Sequence, residues 1–152
     1  MDANSEVLIN AGDFKIEELS ITSASTQTTS DITNFMLEIN LYEDLFSSCM
    51  SGTLILADAA NLISNLPILG NEYITMKIRT PTLEDSPENI IKKTFQIYAI
   101  YDRVLNDDRS QFYTIAFMSI EGYENQTKTL TTSFNDTTDK IAEKIYKEHI
   151  EW

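Results

Sequence analysis

The alternation of apolar and polar residues is the main structural signal in this chain, and it is clearest over residues 32–41. Phe35, Leu37, Ile39 and Leu41 alternate with mostly polar neighbours, which is the period of two expected of a strand with one buried face. Related patterns predict further strands over residues 14–22, 53–57, 73–79, 94–104 and 112–120. Strand candidates at this regular spacing predict a mainly β protein.

The stretch 42–81 carries the strongest local signals. After a serine and a glycine, a short apolar run predicts a buried strand. Asp58 follows it and can accept hydrogen bonds from the free N–H groups of a short helical turn over residues 59–66. Pro67 and Gly70 end this turn, and residues 73–79 form the next strand. The stretch predicts a strand, a short helix and a strand without a catalytic motif, which favours a shape-building protein over an enzyme.

Polar segments separate the predicted strands. Residues 23–31 are rich in Ser and Thr and predict a loop, and residues 80–89, with two prolines and three acids, predict an exposed loop. Residues 106–110 predict a turn that joins the last two strands into an antiparallel hairpin. Residues 121–135 are polar and turn-like.

The chain ends in a predicted amphipathic helix. Asp136 or Thr137 can cap its start, and Ile141 and Ile145 belong to an apolar stripe at three- and four-residue steps. Because the stripe stops at Trp152 without a helix-ending glycine or proline, we expect the natural protein to continue. The predicted organisation is a flexible leader over residues 1–13, a β domain over 14–130, and a helix over 136–152 that starts a following domain.

The expected fold is therefore mainly β: an antiparallel β-barrel or sandwich with one short helix between strands and a C-terminal helix. The segment 45–50 is apolar although it lies at a hairpin end. It either marks a contact surface or folds back on the core.

Acidic residues dominate the charge of the chain. There are 24 acids and 11 bases, for a net charge of −13, and residues 1–76 contain only one of the bases. This balance repels phosphate backbones and argues against tight nucleic-acid binding. Either solubility alone or a functional negative surface accounts for it.

The composition excludes several kinds of site. Cys49 and His149 are the single cysteine and histidine, so an internal disulfide and a tetrahedral zinc site are excluded. Four glycines do not supply a phosphate-binding loop. We expect no metal and no cofactor. There is no apolar run long enough for a membrane span and no secretory signal pattern.

Paired carboxylates leave one enzymatic alternative, a glycosidase acting on cell walls. Such an enzyme needs two acids about 5–10 Å apart, one of them held protonated. Neighbouring acids such as Glu17/Glu18 and Glu43/Asp44 exist, but adjacent residues on a strand point to opposite faces. We therefore expect the protein not to be an enzyme.

The stretch up to residue 81 also carries a resemblance to a known family. The matching residues are Glu43-Asp44-Leu45, Gly52 to Asp58, Asn61-Leu62, Gly70-Asn71-Glu72 and Ile74 to Ile78. In this order they resemble the N-terminal tube-like domain of baseplate central hub proteins from contractile-tailed bacteriophages. The later hairpin and the last helix fall in the order that the family shows.

The resemblance implies a structural role in a phage tail-tube-like ring. Hub proteins form a trimeric ring that joins the tail tube to the membrane-piercing spike, so the implied partners are copies of the chain, tube proteins and spike proteins. The implied location is the virion baseplate, after synthesis in the host cytoplasm. Genome DNA passes through such a ring without being bound, and no membrane is involved. Candidate subunit or partner contacts are Leu45, Phe46, Met50, Asn61, Leu62, Gly70, Asn71 and Glu72.

Glu38 and Asn40 lie on the polar face of the 32–41 strand and are the candidate channel-facing residues. Carboxylates there would repel DNA and keep its passage free of strong contacts. The alternative is that both face outer solvent. Other tube-forming ring proteins, namely tail tubes, tail terminators and secretion-system tubes, share this pattern. The helix that begins near Asp136 separates the two classes, since it would start a second domain in a hub and close the barrel in a tube protein.

Overall fold

A computed structural model describes residues 13–66, 68, 70–80, 90–106 and 110–149. The leader predicted over 1–13 lies almost wholly outside this range, as do most of the 80–89 loop and the centre of the 106–110 turn. The described elements in chain order are β1 Lys15–Thr22, β2 Thr29–Asp31, a 3-10 helix Thr33–Phe35, β3 Met36–Tyr42, β4 Ser51–Asp58, α1 Leu62–Asn65, β5 Tyr73–Arg79, β6 Ile90–Leu105, β7 Gln111–Ser119, α2 Ile120–Thr127 and α3 Thr138–His149.

The seven strands form one antiparallel sheet in the order β2-β1-β5-β6-β7-β4-β3. The two outermost strands, β2 and β3, are consecutive in the chain and are separated only by residues 32–35. A flat seven-stranded sheet would hold its outer strands about 29 Å apart, whereas the five residue steps from 31 to 36 span at most roughly 18 Å. The sheet therefore curls into a half-barrel, and the prediction of a mainly β antiparallel fold is confirmed.

The link between the two sheet edges is well anchored. The backbone N–H of Ile32 donates to the carbonyl of Leu19 on β1 (2.9 Å), and the Ile32 side chain is fully buried. Asp31 Oδ1 accepts from the N–H of Thr33 (2.8 Å), and hydrogen bonds from the backbone and side chain of Thr33 lower the pKa of the Asp31 carboxyl. The link therefore fixes the curl at one end of the sheet.

The core fills the concave side of the curled sheet. Its fully buried members come from β1, β4, β5, β6, β7 and the link, and Leu62 on α1 and Leu66 just after it are also buried. Leu54 and Leu56 on β4 face this core and alternate with half-buried residues. Gly52 completes the series, because a Cβ there would lie 2.5 Å from the Phe117 ring on the paired strand. A side chain at this position is excluded by close packing.

Three local predictions differ from the structure. Residues 32–35, predicted as the start of a strand, form a 3-10 turn because Asp31 caps the N–H of Thr33. A short strand, β2, lies within the predicted 23–31 loop and pairs with β1. The polar segment that begins at residue 121 was expected to be turn-like, yet it contributes most of α2. The Ser119 hydroxyl accepts from the N–H of Gly122 and supplies the cap of this helix.

Candidate functional site

An apolar tip joins β3 to β4 and is the most exposed feature of the described chain. Leu45 and Phe46 each expose 94% of their surface. Asp44 shapes the turn, because its Oδ1 accepts from the N–H of Phe46 (2.9 Å) and its carbonyl accepts from the N–H of Ser47 (3.1 Å). The tip is thus a hydrogen-bonded turn that holds two large apolar side chains in water. Of the two sequence-based alternatives, contact surface or fold-back onto the core, these two residues fit the first.

The base of the tip is anchored to the domain. Met50 packs against the core, and its carbonyl accepts from the N–H of Ser119 (2.8 Å). Cys49 packs on α2, where a Cβ on Gly122 would lie 2.5 Å from the Cys49 Cβ. A groove of about 390 Å³ runs beside the tip and is lined by Glu43, Asp44, Ser47, Ser48, Cys49, Met50, Lys93, Ser119, Glu121 and Tyr146. Met50, predicted as a contact residue, therefore supports the tip from inside.

The opposite end of the sheet is held by a buried carboxylate, Asp58, which is 1% exposed. Its Oδ1 accepts from the N–H of Ala60 (3.0 Å), and its Oδ2 accepts from the N–H of Leu62 (2.8 Å). The side chains of Gln111 (3.1 Å) and Tyr113 (3.4 Å) on β7 donate to the same Oδ2. Asp58 thus accepts from the first N–H of α1, as the sequence predicts, and ties that helix to β7.

Burial and the charge of Asp58 raise the pKa of Tyr113 far above its ordinary value of 10.0. Burial removes water from the phenol, and a phenolate beside the Asp58 carboxylate would be repelled by it. The Tyr113 hydroxyl therefore remains a hydrogen-bond donor throughout the physiological pH range.

A second buried carboxylate, Glu72, shapes the turn before β5. Glu72 Oε2 accepts from the N–H groups of Gly70 (2.8 Å) and Asn71 (3.1 Å), and Gly70 has a φ of 98° that favours glycine. Gln96 Nε2 on β6 donates to the carbonyl of Gly70 (3.1 Å). Four of the predicted partner-contact residues lie at this end of the sheet. Leu62 and Glu72 are buried inside the domain, whereas Asn61 and Asn71 are exposed.

Glu38 and Asn40, the candidate channel-facing residues, lie side by side on the face of β3 that points away from the core. Asn40 Nδ2 donates to Glu38 Oε1 (2.7 Å) and lies 3.3 Å from Thr53 Oγ1 on β4. Their cross-strand partners belong to the outer face of the sheet, whereas Ile39 pairs with buried Leu54. This position is compatible with a channel wall and with outer solvent.

Sequence reasoning missed a second exposed apolar surface on the outer part of β6. β6 extends beyond β5, because the register between the two strands ends at the pair of Tyr73 and Gln96. Beyond it Tyr98, Tyr101, Val104 and Leu105 expose 42–74% of their surface. A strand that continues past its neighbour presents unpaired backbone groups on one side. The sequence did carry one sign of this surface, because the strand predicted over residues 94–104 is longer than the one predicted over 73–79.

A group of basic side chains on β1, β5 and β6 was also missed. Lys15 pairs with Arg79 and Lys77 pairs with Lys92, so all four lie on one face of the sheet. Glu17, at a bulge in β1, contacts Lys77 Nζ (2.6 Å) and Arg79 Nε (2.9 Å). The Lys77 ammonium, followed by Arg79, lowers the pKa of the Glu17 carboxyl. The only sequence signal for this basic group was the concentration of bases in the second half of the chain, since residues 1–76 contain just one.

The described residues offer no grouping of His, Cys, Asp and Glu that could hold a metal ion. Within the same residues, no helix combines the length and apolarity that a bilayer crossing would require. In comparisons with known proteins, no family model matches the chain and no curated protein matches it.

Proposed function

We propose that this chain is a structural subunit of a phage tail baseplate hub, which forms part of a ring between the tail tube and the central spike. The observation that carries the proposal is the nearly complete exposure of Leu45 and Phe46 on a hydrogen-bonded turn. Burying such side chains contributes about 1.5–3 kcal/mol each, so the tip is suited to a protein contact. The resemblance of the β4–α1–β5 unit to baseplate hub proteins is the reason for proposing this kind of assembly.

The outer face of β3 and β4 supports a role in a channel wall. Glu38 and Asn40 form a polar pair there, opposite to the core side of β3. A wall with carboxylates and without nearby bases repels the DNA backbone and lets it slide without strong contacts. The proposed ring lets DNA pass and does not bind it.

The C-terminal helix favours a hub over a simple tube protein. Ile141 and Ile145 are only half-buried, Tyr146 is 49% exposed, and α3 makes no more than marginal contacts with the described strands. A helix that closed the barrel would bury its apolar stripe against the sheet. A tail tube, tail terminator or secretion-system tube is therefore the second candidate.

The test is electron microscopy combined with sedimentation of the full-length gene product. We expect rings from the wild type and a loss of ring assembly in a Leu45→Ser, Phe46→Ser variant whose circular dichroism is unchanged. Leu130→Ser is the matched control, since Leu130 is 40% exposed and lies outside the tip. Wild-type protein without rings, or tip variants that assemble normally, would contradict the proposal. Turnover of peptidoglycan would instead support the glycosidase.

A further inference from the structure

The charges of this acidic protein are separated between the two halves of its sheet. The segments 73–79 and 90–94, which are β5 and the start of β6, contain four bases and no acid. The segments 36–58 and 111–119, which hold β3, β4 and β7, contain four acids and no Lys or Arg. When the positive and the negative region are both accessible, the positive region of one copy can attract the negative region of another.

The basic half presents a defined patch, formed by Lys15, Lys77, Arg79 and Lys92. Lys77 and Lys92 are direct cross-strand partners, an arrangement of like charges that destabilises a sheet by itself. Glu17 and Glu18 offset two of the four charges, with Glu17 in contact with Lys77 and Arg79. These six side chains together carry a charge of +2, and Lys15 and Lys92 are exposed.

The acidic half presents the tip between β3 and β4. Glu43 and Asp44 precede Leu45 and Phe46, and all four side chains are exposed. The tip therefore combines two negative charges with two large apolar groups. This combination matches the basic patch in charge and offers apolar surface at its centre, as interface cores usually do.

The positions of the two surfaces prevent them from meeting within one chain. β5 and β3 are four strand positions apart in a curled sheet, so their outer faces point in different directions. Lys93 lines the groove beside the tip, whereas Lys92, the residue before it on β6, points to the other face of the sheet. We infer that a second copy of the chain docks its acidic tip on the basic patch. This inference rests on the proposed ring.

A contact between two different surfaces of identical chains is head-to-tail, and such contacts close a ring when the rotation between neighbouring copies divides a full turn. A nucleic acid fits the basic patch less well, because a net charge of +2 on a chain of −13 neutralises few phosphates. The contact should weaken as salt rises from about 50 mM to about 500 mM, because its charges lie at the surface.

Two charge-reversed variants and their mixture test the contact. One variant carries Glu43→Lys with Asp44→Asn, which keeps the side-chain oxygen that accepts from Phe46. The other carries Lys15→Glu with Lys92→Glu, two positions outside the Glu17 ion pairs. Lys140→Glu with Lys144→Glu on α3 is the control for the second variant, because it makes the same change in net charge. Each protein is sedimented in 50 mM salt, alone and in equimolar mixture.

We expect each reversed variant alone to self-associate at least about tenfold more weakly than the wild type. In the mixture, a contact between the two different variants joins opposite charges, so unlike variants should associate in pairs again. A ring of three cannot alternate two variants, so the expected recovery is pairwise association and not closed rings. The α3 control should behave as the wild type. Reversed variants that assemble normally, or a mixture that stays dissociated, would overturn the contact and leave the hub proposal standing if the wild type still forms rings. A monomeric wild type would overturn both.

Discussion

Replacing Asp58 by alanine should destabilise the domain strongly, because this carboxylate is the shared acceptor of four donors. Two are backbone N–H groups that begin the α1 turn, and two are the side chains of Gln111 and Tyr113 on β7. The acceptor itself is buried, because the Asp58 side chain is only 1% exposed. The substitution would leave buried donors without an acceptor and open a small cavity.

The magnitude follows from the number of bonds and their lengths. Each buried donor left unsatisfied costs about 1–3 kcal/mol, and the 3.4 Å contact to the Tyr113 hydroxyl adds least. Some donors near the surface will find water, so a total of about 4 kcal/mol is expected. For a domain of this size each kcal/mol lowers Tm by about 2–4 °C. The variant should therefore melt roughly 8–16 °C below the wild type.

Urea denaturation followed by circular dichroism measures this loss, with calorimetry for Tm. Asp58→Asn should cost less than Asp58→Ala, because an amide oxygen can keep the bonds of one carboxylate oxygen. Asp44→Ala is the matched control, since Asp44 makes the same kind of turn bond on an exposed loop; it should cost less than about 1 kcal/mol. Equal losses at Asp58 and Asp44 would refute the assignment of a buried network.

Three further predictions concern packing and pH. Gly52→Ala would place a Cβ 2.4 Å from a β3 carbonyl oxygen and 2.5 Å from the Phe117 ring, so stability in urea should fall by at least about 2 kcal/mol; an unchanged midpoint would contradict the packing. Gly122→Ala should destabilise by collision with Cys49, and adding Cys49→Gly should recover part of the loss in a double-mutant cycle. The pKa of Tyr113 is raised in the folded state, so the folded protein holds the phenol proton more tightly than the unfolded chain does. The contribution of Tyr113 to the free energy of unfolding should therefore be constant below pH 10.0 and decrease above it, because the unfolded tyrosine then ionises. Tyr113→Phe should remove that part of the alkaline decrease, and equal decreases in both proteins would argue against it.

The parts of the fold that could be predicted are those encoded over short distances. The β4–α1–β5 unit follows from an apolar run, an Asp at its end and a glycine turn, and Asp58 accepts from the first N–H of α1 as predicted. Strand β3 was predicted from its alternation, although it begins at Met36 and not at residue 32. The exposed tip was also open to prediction, because Leu45 and Phe46 lie where a turn is expected.

The parts that were missed depend on pairing between distant segments. β2 is three polar residues that become a strand only because β1 offers its edge, so no periodicity marks it. The basic patch forms because residue 15 pairs with residue 79, and a one-residue change in register would scatter its charges over both faces. Burial of Glu72 was equally hidden, since an acid before a strand is usually exposed.

The order of strands in the sheet has a consequence for the synthesis of the protein. The first five strands to leave the ribosome form two separate pieces, β2-β1-β5 and β4-β3, which are not neighbours in the sheet. Only β6 and β7, which come last, lie between these pieces and join them. A nascent chain that ends before residue 90 therefore exposes the apolar faces of both pieces to water. Folding waits for the final hairpin, and this interval is the time at which aggregation or chaperone binding competes with assembly.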